Sequence, residues 1–476
     1  MSDSKEIQKI KAVKERLDRV SPTFCMAKWK QVTVLLHNGT THSCAHPTPH
    51  VVPLEEIKSN PSALHNTNYK KEQRKLMLEG KRPSECQYCW NIEDSGQFHS
   101  DRHIKSSEFW AREEIEQTAQ MPWNENVKPS YLEISFSNVC QFKCSYCFPQ
   151  ISSKWMKEIQ EFGHYEIANG SYHNLEHINA SGLMPLEDEK NNPYIEAFWK
   201  WLPEMYEGLR MLRITGGEPF MSENTFKVID WIKMNPNPRM SFAVNSNLGV
   251  SDALIQRFID LSSSLIHNRQ VNAFDVFTSV DTSSSQAEYI RNGLNYDKWL
   301  TNVEKVLDSI PGVKVGIMCT HNAMSVPRFR GLLEDVLSLR KKYQDPTSKM
   351  WRLWLDIGYV RYPGWQSAKI LPSSFHKIME DDLEYMMSHR GDYVTGVPGF
   401  YDVEIEKMKR LIAWCKTPFD PETTQEYRRN FYRYFTEQDR RRKTDFIQTF
   451  PEFRDFFLSL RTLELALQRT QEVSQR

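Results

Sequence analysis

Three cysteines stand on one short stretch, Cys140-Gln-Phe-Lys-Cys144-Ser-Tyr-Cys147. Thiolates this close in sequence, carried on a loop, can converge on one face of a cubane iron–sulfur cluster, each holding one iron. No fourth cysteine lies nearby. An iron left without a thiolate is open to a small molecule, whereas an electron-transfer cluster takes four cysteines. A three-residue gap followed by a two-residue gap also differs from the paired C-x2-C knuckles of a zinc ribbon. Four more cysteines, Cys25, Cys44, Cys86 and Cys89, fall in the first hundred residues. They supply the thiolates for either a second 4Fe-4S cluster or a structural zinc, with gaps longer than those of a compact zinc finger. Cys319 and Cys415 stand alone, and Cys319 lies in an apolar strand pattern that predicts burial.

Other segments carry ligand-binding chemistry. In Thr215-Gly216-Gly217-Glu218-Pro219 two glycines let the backbone approach a ligand, and exposed carbonyls with the Glu218 carboxylate can accept hydrogen bonds from an ammonium group. Read by itself, the same segment is an ordinary turn. Asn245-Ser246-Asn247, Ser279-Val280-Asp281 and Glu288-Tyr289-Ile290-Arg291 offer polar groups further on. An arginine such as Arg291 can grip a carboxylate through two parallel hydrogen bonds. The plainer reading makes Ser279 or Asp281 a helix cap and Arg291 a surface side chain. Thr320 and Asn322 follow a later strand and are further pocket candidates.

These residues sit at the ends of predicted elements. Tyr131–Phe136, Met211–Ile214, Met240–Val244, Phe274–Val280, Val313–Cys319 and Trp351–Ile357 read as strands. Helical patterns alternate with them: Asn224–Met234, Ala253–Leu261, Tyr296–Leu307 and Arg328–Lys341. That rhythm predicts βαβ units and a parallel sheet. Right-handed crossovers would curl the units into an open or partial barrel, with ligands at the C-terminal strand ends. Before them, Gln31–His37 and Thr40–Cys44 read as a hairpin turning at Asn38-Gly39, and Lys70–Glu79 as a helix ended by Gly80. Gln120–Ser130 is polar, lacks periodicity and reads as a linker. From Tyr401 on the chain is helical; its Arg440–Arg442 run reads as a solvated helix face, with phosphate or acidic-partner binding as the minority reading.

The 476 residues balance 61 Lys+Arg against 61 Asp+Glu, so no global field attracts nucleic acid or an anionic membrane. No apolar run approaches the roughly 18–20 residues that span a bilayer. The N-terminus is charged, with Ile7, Ile10, Val13 and Leu17 at helical spacing. A soluble cytoplasmic protein is expected, with cysteines serving as ligands or buried thiols.

C-x3-C-x2-C after a first strand, with the aromatic Tyr146 before the third cysteine, resembles the signature of the radical S-adenosylmethionine (SAM) superfamily. The Gly-Gly-Glu-Pro segment resembles that superfamily's contact to the SAM amino group. Cys25, Trp29, the Asn38-Gly39 hairpin, Cys44, Leu78-Glu79-Gly80 and Glu85-Cys86-Gln-Tyr-Cys89 with Glu93 resemble a twitch or SPASM-like auxiliary module. Here that module precedes the barrel instead of following it. The resemblance implies a partial (βα)6 radical SAM barrel over 128–365, a small auxiliary cluster domain over 1–118 and a helical extension over 366–476. It implies a SAM-binding 4Fe-4S cluster on Cys140, Cys144 and Cys147, SAM itself, and an auxiliary 4Fe-4S cluster (or zinc) on Cys25, Cys44, Cys86 and Cys89. Tyr146, Gly216, Gly217, Glu218, Asn245, Ser279 and Arg291 would then contact the cofactor. The implied reaction is reductive cleavage of SAM to a 5′-deoxyadenosyl radical that takes a hydrogen atom from a substrate. The implied partners are a one-electron donor such as flavodoxin or ferredoxin and a peptide or protein substrate, small molecules remaining open. The alternative is an iron–sulfur or zinc protein without radical chemistry, for electron transfer or structure.

Overall fold

The expected strands form, and their pairing explains their composition. The structure, a computed structural model, describes residues 2–97, 99–186, 191–343, 352–392 and 395–474. Its strands, in chain order, are β1 (Gln31–Leu35), β2 (Thr40–His42), β3 (His50–Val51), β4 (Tyr131–Ser135), β5 (Lys143–Cys144), β6 (Tyr165–Ile167), β7 (Gly170–Tyr172), β8 (Met211–Thr215), β9 (Asn237–Asn245), β10 (Val271–Ser279), β11 (Arg291–Asn292), β12 (Lys314–His321) and β13 (Leu353–Tyr359). Trp351, expected to open the last of these, lies outside the described residues. The chain divides into two compact units: Met1–Asn138 with Gly182–Val244 and Asn268–Phe274, and Val139–Ser181 with Asn245–His267 and Asp275–Arg476.

In the first unit β4 pairs parallel with β8 and β8 parallel with β9. Leu132, Ile134, Leu212 and Ile214 are buried, the alternate residues that a pleated strand turns to one side. The Asn38-Gly39 hairpin forms, with Thr33 opposite His42 and Gly39 at φ +68°. Gly39 is required twice over, because a Cβ there would also lie 2.1 Å from the Tyr194 ring. One pairing has no signature in the local sequence. β1 runs parallel to β4, Gln31 opposite Tyr131, so the hairpin extends the same sheet. Gly80 ends the Asn68–Leu78 helix at φ +73°. Lys81 N–H donates to Leu76 O and Gly80 N–H to Met77 O, the paired bonds of a Schellman stop. Val13, Leu17, Phe24, Trp29, Met77, Trp90, Trp110 and Ile115 pack as an apolar core.

In the second unit β10, β12 and β13 are parallel. Gly316 on β12 leaves room for Trp354, which a Cβ would meet at 2.7 Å. The helices Asp252–Ser262, Tyr296–Ser309 and Phe329–Tyr343 form over the predicted segments. The C-terminal helices are Asp402–Cys415, Pro421–Arg442 and Arg454–Ser474. Phe431, Phe435, Phe446, Phe450, Phe453 and Phe457 give the last two of them a shared aromatic core, with Phe446 and Phe457 stacked at 4.6 Å. Arg340 and Glu404, both buried, pair at 2.5 Å, and Glu404 also accepts Leu355 N–H at 2.8 Å, fastening Asp402–Cys415 to β13. The architecture is mixed α/β with a multi-stranded parallel arrangement and C-terminal helices.

The Arg440–Arg442 run departs from expectation. Only Arg440 is solvated; the Arg441 and Arg442 side chains are 2% exposed. With 3.6 residues per turn, a helix of 22 residues packed along one side turns part of a short charge run inward. Among the described residues, no helix is long and apolar enough to cross a membrane.

Candidate functional site: two sets of cysteines

The three-cysteine loop lies in the second unit and is tied down from several directions. β5 pairs antiparallel with β11, placing Cys144 opposite Arg291, and Ser145 N–H donates to Ile290 O at 2.8 Å. Two glycines admit the loop. A Cβ on Gly249 would lie 2.3 Å from the Phe142 ring, and one on Gly293 (φ +109°) 2.8 Å from Gln141 O. Ser152, the N-cap of the Ser153–Phe162 helix, donates to Phe142 O at 2.8 Å. Trp155 on that helix donates to Cys144 O at 2.9 Å.

A charged network stands beside the thiols. Arg291 donates to Asp281 through Nε at 2.9 Å and through a terminal nitrogen at 3.1 Å. It also donates to Tyr146 Oη at 2.5 Å and to Cys144 Sγ at 3.6 Å. Tyr146 Oη donates to Asp281 at 2.8 Å, and Thr320 N–H donates to Asp281 at 2.9 Å. Arg291 is therefore a buried residue already serving three partners, and Asp281 is fully buried. Desolvation pushes the Cys144 thiol up, and the Arg291 charge opposes it without cancelling it. Burial pushes Cys147 up to about 12, with the neighbouring Cys144 adding to the shift. Cys140 Sγ accepts Phe142 N–H at 3.4 Å. Asn247 lies alongside, taking Gln141 Nε2 and Gly249 N–H on its Oδ1, each at 2.8 Å.

The structure thus brings Cys144, Tyr146 and Arg291 into one network. Asn245 ends β9, and Ser279 ends β10 opposite Met318. Asn322 caps the turn at Ala323–Arg328 through Met324 N–H at 3.0 Å. Cys319 is buried, as its strand pattern predicts.

The Gly-Gly-Glu segment belongs to the first unit. Gly216 has φ +135°, and a Cβ there would stand 2.8 Å from Ser137 O. Gly217 N–H donates to that same carbonyl at 3.0 Å. The conformational freedom expected for ligand approach is used here to pass the Ser137 backbone. Glu218 is buried and accepts Phe220 N–H at 3.1 Å, capping the turn at Pro219–Met221.

The four N-terminal cysteines come from separate elements of the first unit. Cys25 precedes the Met26–Lys30 helix, Cys44 follows β2, and Cys86 caps the Gln87–Asp94 helix that contains Cys89. All four wall one cavity of about 20 Å³, together with Lys28, His46, Trp90, Arg102 and Lys105. Three of these side chains have local carboxylates. Lys28 pairs with Glu85; Arg102 pairs with Glu93 at 3.0 Å and donates to Phe24 O at 3.0 Å; His46 meets Asp101 at 2.6 Å. Glu85 and Glu93, elements of the predicted module, are thus the ion partners of its walls. Burial pushes Cys25 up to about 12 and Cys89 to about 11, with neighbouring thiols adding.

These arrangements correct the expected cofactors. Among the described residues, no group of three or more His, Cys, Asp or Glu side chains is placed to hold a metal ion. That finding overturns the metal-binding description, both 4Fe-4S clusters and the zinc alternative. The physical reason is placement: metal ligation requires thiolates gathered around one centre at about 2.3 Å, and the described side chains are not gathered so. Cys140 and Cys144 are engaged with Phe142 N–H and Arg291.

The sequence reading passes over Trp155, Glu158, Gln366 and Tyr434 and takes Arg442 for part of a solvated face, yet all five hold the cysteine loop. Gln366, Tyr434 and Arg442 lie 221, 289 and 299 residues from the loop positions they reach, so no local pattern marks them.

No family model matches the chain, and no curated protein does. Among solved structures, Streptococcus suis SuiB matches at 12% identity with a TM-score of 0.32, covering 67% of this chain and 62% of that one. SuiB bound to S-adenosylmethionine matches at 11% identity and TM-score 0.34, covering 75% and 69%. SuiB bound to precursor peptide SuiA matches at 12% and 0.33, covering 76% and 70%. The chain spans less than two thirds of the first of these, and a likeness at this level fixes neither chemistry nor substrate.

Proposed function

We propose that this chain is a radical-type SAM enzyme acting on a peptide or protein side chain. One electron from an external donor such as flavodoxin or ferredoxin cleaves SAM to methionine and a 5′-deoxyadenosyl radical. The radical removes one hydrogen atom from the substrate and leaves as 5′-deoxyadenosine. The observation that carries the reading is the thiol loop. Its C-x3-C-x2-C pattern with Tyr146 resembles the superfamily signature, and its Cys144 is met by a buried Arg291–Asp281–Tyr146 network. Gly216, Gly217, Glu218, Asn245 and Ser279 are proposed as further SAM contacts, and the parallel strands of 128–365 as a partial barrel. The resemblance of 1–118 to auxiliary modules favours a peptide. The segment 366–476 is proposed as a helical extension. In this role the residues' task is to exclude water and aim one substrate C–H bond at the radical, since orientation decides which bond reacts.

The test is anaerobic incubation of the full chain with SAM and a one-electron reductant, followed by mass spectrometry for 5′-deoxyadenosine. Formation that depends on enzyme and reductant is expected. Its absence in a folded, reduced sample overturns the reading.

A further inference from the structure

The C-terminal helix Pro421–Arg442 reaches the cysteine loop at two carbonyls, those of Lys143 and Ser145. Arg442 donates to Lys143 O at 3.1 Å. Tyr434 Oη donates to Ser145 O at 2.8 Å. Gln366 Nε2 donates to the same carbonyl at 2.9 Å, while its Oε1 accepts Ser145 Oγ at 2.8 Å. Between them, Cys144 O takes Trp155 Nε1 at 2.9 Å, and the Arg442 guanidinium stacks 4.6 Å over the Trp155 ring. Three successive carbonyls around Cys144 are thus each satisfied by a side chain, and Arg442 touches the holder of the middle one.

The arrangement costs charge burial. Arg442 and Glu158 are each 2% exposed and pair at 3.1 Å, and Glu158 also takes Lys143 Nζ and Tyr165 Oη, each at 2.5 Å. Replacing a buried ion pair by packed apolar residues is often neutral or stabilising, so stability alone is a poor reason for one here. A buried arginine does fix direction, because its planar fork sets several donors at once. The same helix holds the other edge of the loop's ribbon. Asp439 accepts Tyr289 Oη at 2.8 Å, two residues before Arg291.

We infer that Arg442 and Tyr434 are positioning residues: the C-terminal helix clamps the carbonyls of Lys143 and Ser145 and so fixes where the loop presents Cys144 and Cys147. The inference deepens the proposed function by assigning the extension to the same site, and its structural arm stands apart from that reading.

Two measurements on the full chain separate a clamp from a general support. Hydrogen exchange read by mass spectrometry should show the 140–147 peptide exchanging about tenfold faster in Arg442→Ala, and severalfold faster in Tyr434→Phe, which removes a single hydroxyl. The 31–44 peptide of the first unit should be unchanged. Unchanged exchange at 140–147, or equal acceleration of both peptides, overturns the inference. Should Arg442→Ala fail to fold, Tyr434→Phe carries the test. The second measurement is 5′-deoxyadenosine formation. In Arg442→Ala kcat should fall about tenfold with KM for SAM within twofold, and Arg442→Lys should recover part of it. A fall confined to KM overturns the positioning role. A wild type that forms no 5′-deoxyadenosine rejects the proposed function alone, and the exchange result still decides the clamp.

Discussion

The two sets of cysteines are built in opposite ways. The N-terminal four come from separate elements of the chain, yet charged walls of their cavity are braced by partners within the same unit, Glu85 for Lys28 and Glu93 for Arg102. The other three share one loop, yet its braces come from residues as remote as Arg442. Compactness in sequence and locality of support are therefore independent. A motif that reads clearly from the chain can still owe its geometry to the far end of it.

The largest expected effect separates the two sets by the burial of their ion pairs. Arg291→Ala leaves the fully buried Asp281 carboxylate without its cation and should cost about 3–5 kcal/mol in urea unfolding. Arg102→Ala strips a partner from Glu93, whose side chain is 17% exposed, and should cost about 1–3 kcal/mol. Equal losses would remove the contrast between a sealed network and a partly hydrated one.

Thiol reactivity sharpens the comparison. Free cysteine is half ionised near pH 8.5, so its alkylation levels off above that pH. Cys25 and Cys147 are both held up to about 12 by burial, so each should alkylate about tenfold faster per pH unit from 8 to 10. Levelling at either site before pH 9 would show that its thiol is solvated.

Acid should weaken both units in one direction. Burial lowers His37 and His50 in the first unit to about 4, and His321 in the second to about 3. A depressed folded value means the unfolded chain binds the extra proton first. Stability is then fully present above the ordinary histidine range and falls with pH from about 6.5 toward 4. Urea midpoints measured between pH 7 and pH 4.5 should decline; a flat profile would mean these rings are hydrated.

Much of the fold is legible because it is written locally. The Asn38-Gly39 turn, the Gly80 stop and the strands at Tyr131, Met211 and Phe274 follow from residue type and period. The pairing of β1 with β4 does not, since parallel register is set by packing across long sequence separations. The candidate site divides the same way. Its cysteines, Tyr146 and Arg291 stand out by type and spacing, but their relation does not. Arg291, read as a SAM ligand or a surface residue, is not at the surface but buried against Asp281 and Cys144. The Arg440–Arg442 run reads as solvated because charge usually is, and only packing decides that Arg442 faces inward. The expected metal centres rest on thiol count, spacing and family resemblance, none of which reports where the sulfurs are placed.

The proposed function places SAM cleavage at the three-cysteine loop and not at the N-terminal four. It is tested most directly by comparing 5′-deoxyadenosine formation in two folded variants under reducing, anaerobic conditions. Cys140→Ala/Cys144→Ala/Cys147→Ala should form none, while Cys25→Ala/Cys44→Ala/Cys86→Ala/Cys89→Ala should keep SAM cleavage without substrate. Undiminished 5′-deoxyadenosine from the triple variant would contradict the claim.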